Sequence, residues 1–198
     1  MFDPALRRLI DSPLGHAGAW LAARGASANG LTLAGLGVGL LAVPLLAYGH
    51  YAGALAVIAI NRLVDGLDGA VARHSQATAF GGYLDIVCDM VFYAAVPLGF
   101  ALAQPGNAVW ACLLLASFLC TGGSFLGRAV LAAQRGESDG GARGRKSFFH
   151  SAGLIEGSET IAAFVLFCLL PSAFPWIAGF FALLCFWTAV ARVLESRG

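Results

Sequence analysis

Four aspartates recur within a short stretch of otherwise membrane-like sequence: Asp65 and Asp68, then Asp85 and Asp89, with Arg73 between the two pairs. A carboxylate near the middle of a bilayer costs roughly 2.5–3.5 kcal/mol on insertion scales, so four of them require compensation. A hard divalent cation with oxygen ligands, a substrate, or both would supply it. The i,i+3 pair Asp65/Asp68 and the i,i+4 pair Asp85/Asp89 each share one helix face. The polar turn 73–79, centred near Gln76, places Asp68 opposite Asp85 and Asp65 opposite Asp89. Two antiparallel helices therefore bring the four carboxylates to matching depths, roughly 12–20 Å from the hairpin tip at 1.5 Å per residue.

So many acids can hold Mg²⁺ or Mn²⁺, and this number could hold two ions. No His or Cys joins them at useful spacing, which argues against zinc. Gly66 and Gly69 flank Asp68 at a cost of about 1 kcal/mol each in helix propensity, which makes sense where a ligand or another helix approaches the backbone. Arg73, one turn beyond Gly69, can pair with an acid or grip a phosphate bidentately. Metal, acids, glycine and arginine together point to phosphoryl transfer at a site open to the cytoplasm. A purely structural acid–arginine network is poorly balanced, with four acids against one nearby arginine. A cation- or proton-coupled transporter remains open at this point, although the broken helices and repeated halves that would favour it are not evident.

The elements that must position these groups are apolar. Of 198 residues, 59% are hydrophobic and 12% charged, a balance that excludes an ordinary soluble domain. Apolar runs near the ~20 residues needed to cross hydrocarbon fall at 29–49, 52–73, 80–104, 107–134, 149–171 and 173–195. The expected fold is all-α: a polytopic membrane protein of six transmembrane helices plus an N-terminal interfacial helix. Two regions follow, with 1–28 as the N-terminal cytoplasmic or interfacial helices and 29–198 as the six-helix transmembrane domain. The GxxxG spacing of Gly35 and Gly39 predicts close helix packing.

The net charge of +1 gives no bulk attraction to nucleic acid, and no nucleic-acid partner is expected. The short connections 50–51, 105–106 and 172 carry no charged residue, whereas Arg7, Arg8, Arg24, Arg73, Arg135, Arg143, Arg145, Lys146 and Arg197 fall on the other side. The positive-inside rule then places both termini in the cytoplasm. Residues 1–28 lack the apolar core and cleavage site of a signal peptide. Asp3-Pro4 and Ser12-Pro13 each read as an N-cap followed by proline at a helix start, and Phe2, Leu6, Leu9 and Ile10 line one face of the first helix. The five cysteines all fall inside the expected spans and read as small apolar packing groups.

The spacing D65-x-x-D68-G69-x-x-A72-R73, seven residues, G81-x-x-x-D85-x-x-x-D89 resembles the signature of the CDP-alcohol phosphatidyltransferase family, and all eight fixed positions are matched. The chain is most similar to small bacterial members of it, through NRLVDGLDGAVAR, GRKSFFH and GLIEGSETI. The resemblance implies that Asp65, Asp68, Asp85 and Asp89 ligate Mg²⁺ or Mn²⁺, in a two-ion site, and that Asp89 is also the general base. It implies that Gly69 and Arg73 contact the nucleotide and its pyrophosphate, assisted by Thr78, Asn29 and Thr32; Asn29 reads equally well as an ordinary N-cap. The implied donor is CDP-diacylglycerol and the acceptor a small polar alcohol, with CMP released and a phospholipid formed. A CDP-choline or CDP-ethanolamine type of transfer to a lipid alcohol is the same chemistry with the roles exchanged. The resemblance further implies a homodimer, and the expected place is a bacterial inner (plasma) membrane.

Arg62, Arg128, Glu156, Glu159 and Arg192 lie inside the expected spans, level with the acids. Arg128, Glu156, Glu159 and Arg192, with Lys146 from the preceding basic loop, are candidates for an acceptor pocket. Glu156/Arg192 and Glu159/Arg128 are equally readable as structural pairs. A glutamate-lined pocket would suit a neutral polyol or an amino alcohol, and the basic loop could instead meet anionic headgroups.

Overall fold

The computed structural model describes residues 3–75, 77–136 and 155–196, with side chains from Pro13 onward. Eight α-helices and two 3-10 turns make up its described elements, and none of these is a strand: α1 Asp3–Ala23, α2 Ala28–Leu40, α3 Ala42–Ala47, α4 Tyr51–His74, α5 Ala79–Ala103, α6 Ala108–Gln134, α7 Gly157–Leu169 and α8 Phe174–Glu195. Among the described residues, four segments are long and apolar enough to cross a membrane: Ala28–Ala47, Ala79–Ala103, Pro105–Gln134 and Pro171–Glu195. These are the dimensions of an integral membrane protein.

The departures from expectation have local causes. The first apolar run is split at Leu41 into α2 and α3. Pro44 has no N–H to return to the carbonyl of Leu40, and its ring crowds that carbonyl. α4 has the length of a span but carries Arg62, Asp65, Asp68 and Arg73 along its second half, which removes it from the apolar set. α7 begins only at Gly157 and runs for 13 residues. Residues 149–154, the start of the expected fifth span, lie outside the described residues, as do Arg143, Arg145, Lys146 and the whole of GRKSFFH. In α1 no break appears at Ser12-Pro13; one helix continues through Pro13. The side chains of Phe2, Leu6, Leu9 and Ile10 are outside the description.

Turn chemistry sets the helix directions. Gly49 has φ of 76° and closes α3, with its N–H on Leu46 O and that of His50 on Leu45 O. Gly25, at φ of 80°, ends α1 through the equivalent pair of bonds to Ala22 and Leu21. Both are Schellman motifs, in which glycine takes the left-handed position that a Cβ would strain. Ser27 and Thr78 then cap α2 and α5 by accepting from the N–H of Gly30 and Gly81.

The core is aromatic: Phe92, Phe100, Phe164, Phe167 and Phe174 are fully buried, and Phe100 stacks on Phe174 at 4.4 Å. Around the acidic helices, small residues permit close approach. A Cβ at Gly39 would fall 2.7 Å from Phe92 and 2.8 Å from Asn61 Nδ2, so the GxxxG pair seats α2 against α4 and α5. Gly18 meets Ala70, and Leu14 meets Gly66, so the second half of α1 lies along the part of α4 that carries the acids. Cys88, Cys168 and Cys185 are buried as expected, but Cys112 and Cys120 are exposed on the outward surface of α6.

Candidate functional site

The acidic cluster forms where α4 and α5, each packed against α2, turn their carboxylates toward one another. Ligand oxygens of Asp65, Asp68 and Asp85 all lie within 4.8 Å of one another. That spread is close to the ~4.2 Å across an octahedral Mg²⁺ ion with bonds of ~2.1 Å. Asp68 is buried, and Asp65 and Asp85 are half-buried. The cleft beside them is lined by Thr32, Gly35, Asn61, Arg62, Cys88 and Asp89 among others, and its volume of about 10 Å³ has room for one water or a bare ion. Three convergent carboxylates in so small a space fit a hard divalent cation. They fit zinc poorly, since the one thiol in the lining is not among the converging ligands.

Asp89 occupies a different position. Its Oδ1 accepts from Arg62 Nη2 at 3.0 Å, and Tyr93 Oη lies 3.5 Å from its Oδ2. It borders the cleft, but its oxygens are not among those converging with the other three. Arg62 also reaches Asp65, at 3.5 Å. The expected four-acid cluster is therefore a converging triad with the fourth acid held beside it by an arginine.

The nucleotide candidates separate in the same way. Thr32 Oγ1 donates to Asp68 Oδ2 at 2.6 Å, which brings it into the cluster. Asn29 is not the N-cap of α2, a place that Ser27 takes. Its Oδ1 instead faces Gly81, where a Cβ would come within 3.1 Å. Thr78 is exposed and serves as the cap of α5. Gly66 is explained by Leu14 of α1, because a Cβ there would fall 2.8 Å from Leu14 Cδ1. A Cβ at Gly69 would meet only Arg73 Nη1, at 3.7 Å. Among the described residues, Gly69 therefore leaves an open face beneath the exposed Arg73, with no other helix packed on it.

The described acceptor candidates fall at the start of α7 and along the groove between α6 and α8. Glu156 and Glu159 form a capping box at the start of α7: the Glu156 N–H donates to Glu159 Oε2 at 3.1 Å, and the Glu156 carboxylate accepts in return. Neither lines the acidic cleft or the groove between α6 and α8. That groove, of about 760 Å³, is mostly apolar and includes Arg128, Arg192, Ser124 and Ser196 in its lining. Arg192 is buried, donates from Nη1 to Thr121 O at 3.2 Å, and feels the charge of Glu156. Lys146 lies outside the described residues. Arginine and apolar side chains line this groove, while the two glutamates lie at the start of α7.

Two residues of the site were missed in the sequence. Asn61 stands one turn before Asp65 and Tyr93 one turn after Asp89, so each shares a helix face with an acid. A buried asparagine in an apolar run was the available signal.

The family model described as CDP-alcohol phosphatidyltransferase matches residues 26–191. The inner membrane protein YnjF of Escherichia coli is 51% identical over 170 residues, covering 85% of this chain and 82% of that protein. An archaetidylinositol phosphate synthase of Pyrococcus horikoshii is 34% identical over 98 residues, 49% of this chain and 52% of its own. Among solved structures, a Mycobacterium tuberculosis phosphatidylinositol phosphate synthase with CDP-DAG bound superposes with a TM-score of 0.68 at 21% identity, covering 92% of each chain. At that identity the likeness carries the fold.

Proposed function

Since the chain belongs to the CDP-alcohol phosphatidyltransferase family, we propose that it transfers a phosphatidyl group from CDP-diacylglycerol to the hydroxyl of a small polar alcohol, releasing CMP. The observation that carries this reading is the convergence of Asp65, Asp68 and Asp85, with Asp89 bordering the same cleft. The bound CDP-DAG of the mycobacterial synthase supports the choice of donor.

In this reading Asp65, Asp68 and Asp85 hold Mg²⁺ or Mn²⁺, with Asp89 contributing to a second ion. When bound, such ions neutralise pyrophosphate charge and stabilise the departing CMP. Thr32 orients Asp68 through its short hydrogen bond. The open backbone at Gly69 admits the nucleotide, and Arg73 binds its phosphates by a charge-assisted fork. Asn29, beside Gly81 at the start of α5, and Thr78 border the nucleotide from the cytoplasmic side. Asp89 accepts the proton of the attacking hydroxyl; a bond forms from that oxygen to the β-phosphorus, and the bond from phosphorus to the CMP oxygen breaks.

Residues 1–28 form the cytoplasmic or interfacial segment and 29–198 the catalytic membrane domain, with six spans and both termini cytoplasmic. The uncharged connections on one side support that topology, as does the stacking of Arg24 on Trp20 at 3.6 Å, an interfacial kind of pair. An inner-membrane location follows the relative YnjF, and the chain acts as a homodimer, as the family resemblance implies. For the acceptor, Arg128 and Arg192 in the α6–α8 groove favour an alcohol that carries an anionic group. The two relatives named for inositol phosphate products point the same way.

The test is CMP release from CDP-diacylglycerol with Mg²⁺ or Mn²⁺, followed by lipid mass analysis after feeding glycerol phosphate, inositol phosphate, serine or inositol. Metal-dependent CMP release that Asp89→Asn abolishes is expected. Equal release by wild type and Asp89→Asn would remove the role given to Asp89. Product from inositol alone would overturn the anionic acceptor.

A further inference from the structure

Two nitrogens of the Arg62 guanidinium have hydrogen-bond acceptors and the third has an ion-pair partner. Nε and Nη2 donate to Asn61 Oδ1 at 2.8 and 2.6 Å, Nη2 also reaches Asp89 Oδ1 at 3.0 Å, and Nη1 faces Asp65 Oδ2 at 3.5 Å. The guanidinium carbon lies 4.7 Å from the Phe92 ring centroid and 5.8 Å from that of Tyr93. Asn61 is itself anchored, since it is 3% exposed and donates from Nδ2 to Gly35 O at 2.8 Å. A planar, permanently charged fork is thus clamped by an amide, two aromatic faces and two carboxylates.

We propose that Arg62 is a built-in counter-cation for Asp89, positioned by Asn61, so that only one divalent-ion site, that of Asp65, Asp68 and Asp85, is preformed. The proposal rests on the metal-dependent reading above and adds an order of assembly to it. Charge arithmetic shows why. The four aspartates carry four negative charges. One divalent ion together with Arg62 offsets three of them. Two divalent ions together with Arg62 leave the cluster one charge positive, a surplus that the donor's pyrophosphate would offset. A second ion therefore binds well only with the CDP-lipid present. With a neutral residue at position 62, two ions balance the four carboxylates without the donor.

Mn²⁺ binding to the purified protein, followed by the loss of the free-ion EPR signal, reads this directly and needs no turnover. Wild type should bind one ion tightly, and a second only after CDP-diacylglycerol is added. Arg62→Gln should bind two ions without lipid, the second roughly tenfold tighter or more than in wild type, as expected when a close fixed charge is removed. Arg62→Lys keeps the charge and should retain the one-ion isotherm. A merely structural arginine would lower the melting temperature and weaken all binding, without turning one site into two. Should Arg62→Gln fail to fold, Asn61→Ala, which frees the fork while keeping its charge, should tighten the second site several-fold. Two equal ions on lipid-free wild type, or a single ion on a folded Arg62→Gln, would overturn the proposal. So would an unchanged second site in Asn61→Ala if that variant has to stand in. No Mn²⁺ on wild type with CDP-diacylglycerol present would remove the metal reading and this proposal together. A one-to-two change in a protein that releases no CMP would instead leave this proposal standing and remove the assigned reaction.

Discussion

Thr32 Oγ1 donates to Asp68 Oδ2 at 2.6 Å, joining the start of α2 to the acidic face of α4. The bond fixes one member of the triad from a helix that carries none of the acids. We expect Thr32→Val, which keeps the shape but loses the donor, to cut kcat/KM for CDP-diacylglycerol by roughly tenfold, in line with loss of a hydrogen bond to a charged group. Thr32→Ser should retain most of the activity. Steady-state CMP release checks both, and equal loss in the two variants would point to packing of the methyl group instead.

The triad and Asp89 should separate in function. Asp85→Asn removes one of three converging ligands and is expected to weaken Mn²⁺ binding and abolish CMP release together. Asp89→Asn is expected to abolish CMP release while the first Mn²⁺ still binds. Isothermal titration in detergent alongside the CMP assay checks the pair.

Two glycines, Gly18 of α1 and Gly69 of α4, should respond in opposite ways. A Cβ at Gly18 would come within 2.5 Å of Ala70 Cβ, so Gly18→Leu must push α1 off α4, at a cost of about 1–3 kcal/mol or more. Thermal unfolding in detergent should show the loss. Gly69→Ala meets only Arg73 Nη1 at 3.7 Å and should hold or raise the melting temperature, since alanine restores about 1 kcal/mol of helix propensity. Its cost should appear as a raised KM for CDP-diacylglycerol, because the open face is the one proposed for the nucleotide.

Arg128 lines the α6–α8 groove, apart from the acidic cleft. If the acceptor carries an anionic group bound there, Arg128→Gln should raise its KM roughly tenfold and leave that of CDP-diacylglycerol unaltered. Initial rates with each substrate varied in turn separate the two. An equal rise in both constants would place Arg128 in general support of the fold.

The Glu156/Glu159 capping box satisfies otherwise unpaired groups at the start of α7. Glu159→Ala should cost about 1 kcal/mol of stability. Its acceptor preference should match that of wild type, measured by the same lipid mass analysis. A changed acceptor preference would return these glutamates to the pocket that the sequence alone had allowed.

Periodicity determined much of this protein in advance. Four carboxylates at i,i+3 and i,i+4 spacing, set symmetrically about a polar turn, could meet only if α4 and α5 formed a hairpin, and helix geometry left little choice about their faces. The helical class was likewise written in the apolar runs, because a helix satisfies its own backbone in lipid. What periodicity does not encode is which side chain wins a shared partner. Arg62 holding Asp89 beside the triad, Leu14 rather than a ligand accounting for Gly66, and Glu156 with Glu159 closing a helix end all depend on contacts between elements distant in sequence, or on where a helix begins. The aspartates and their depth belonged to the chain; their division into three that converge and one that an arginine holds belonged to the packing of α2, α4 and α5.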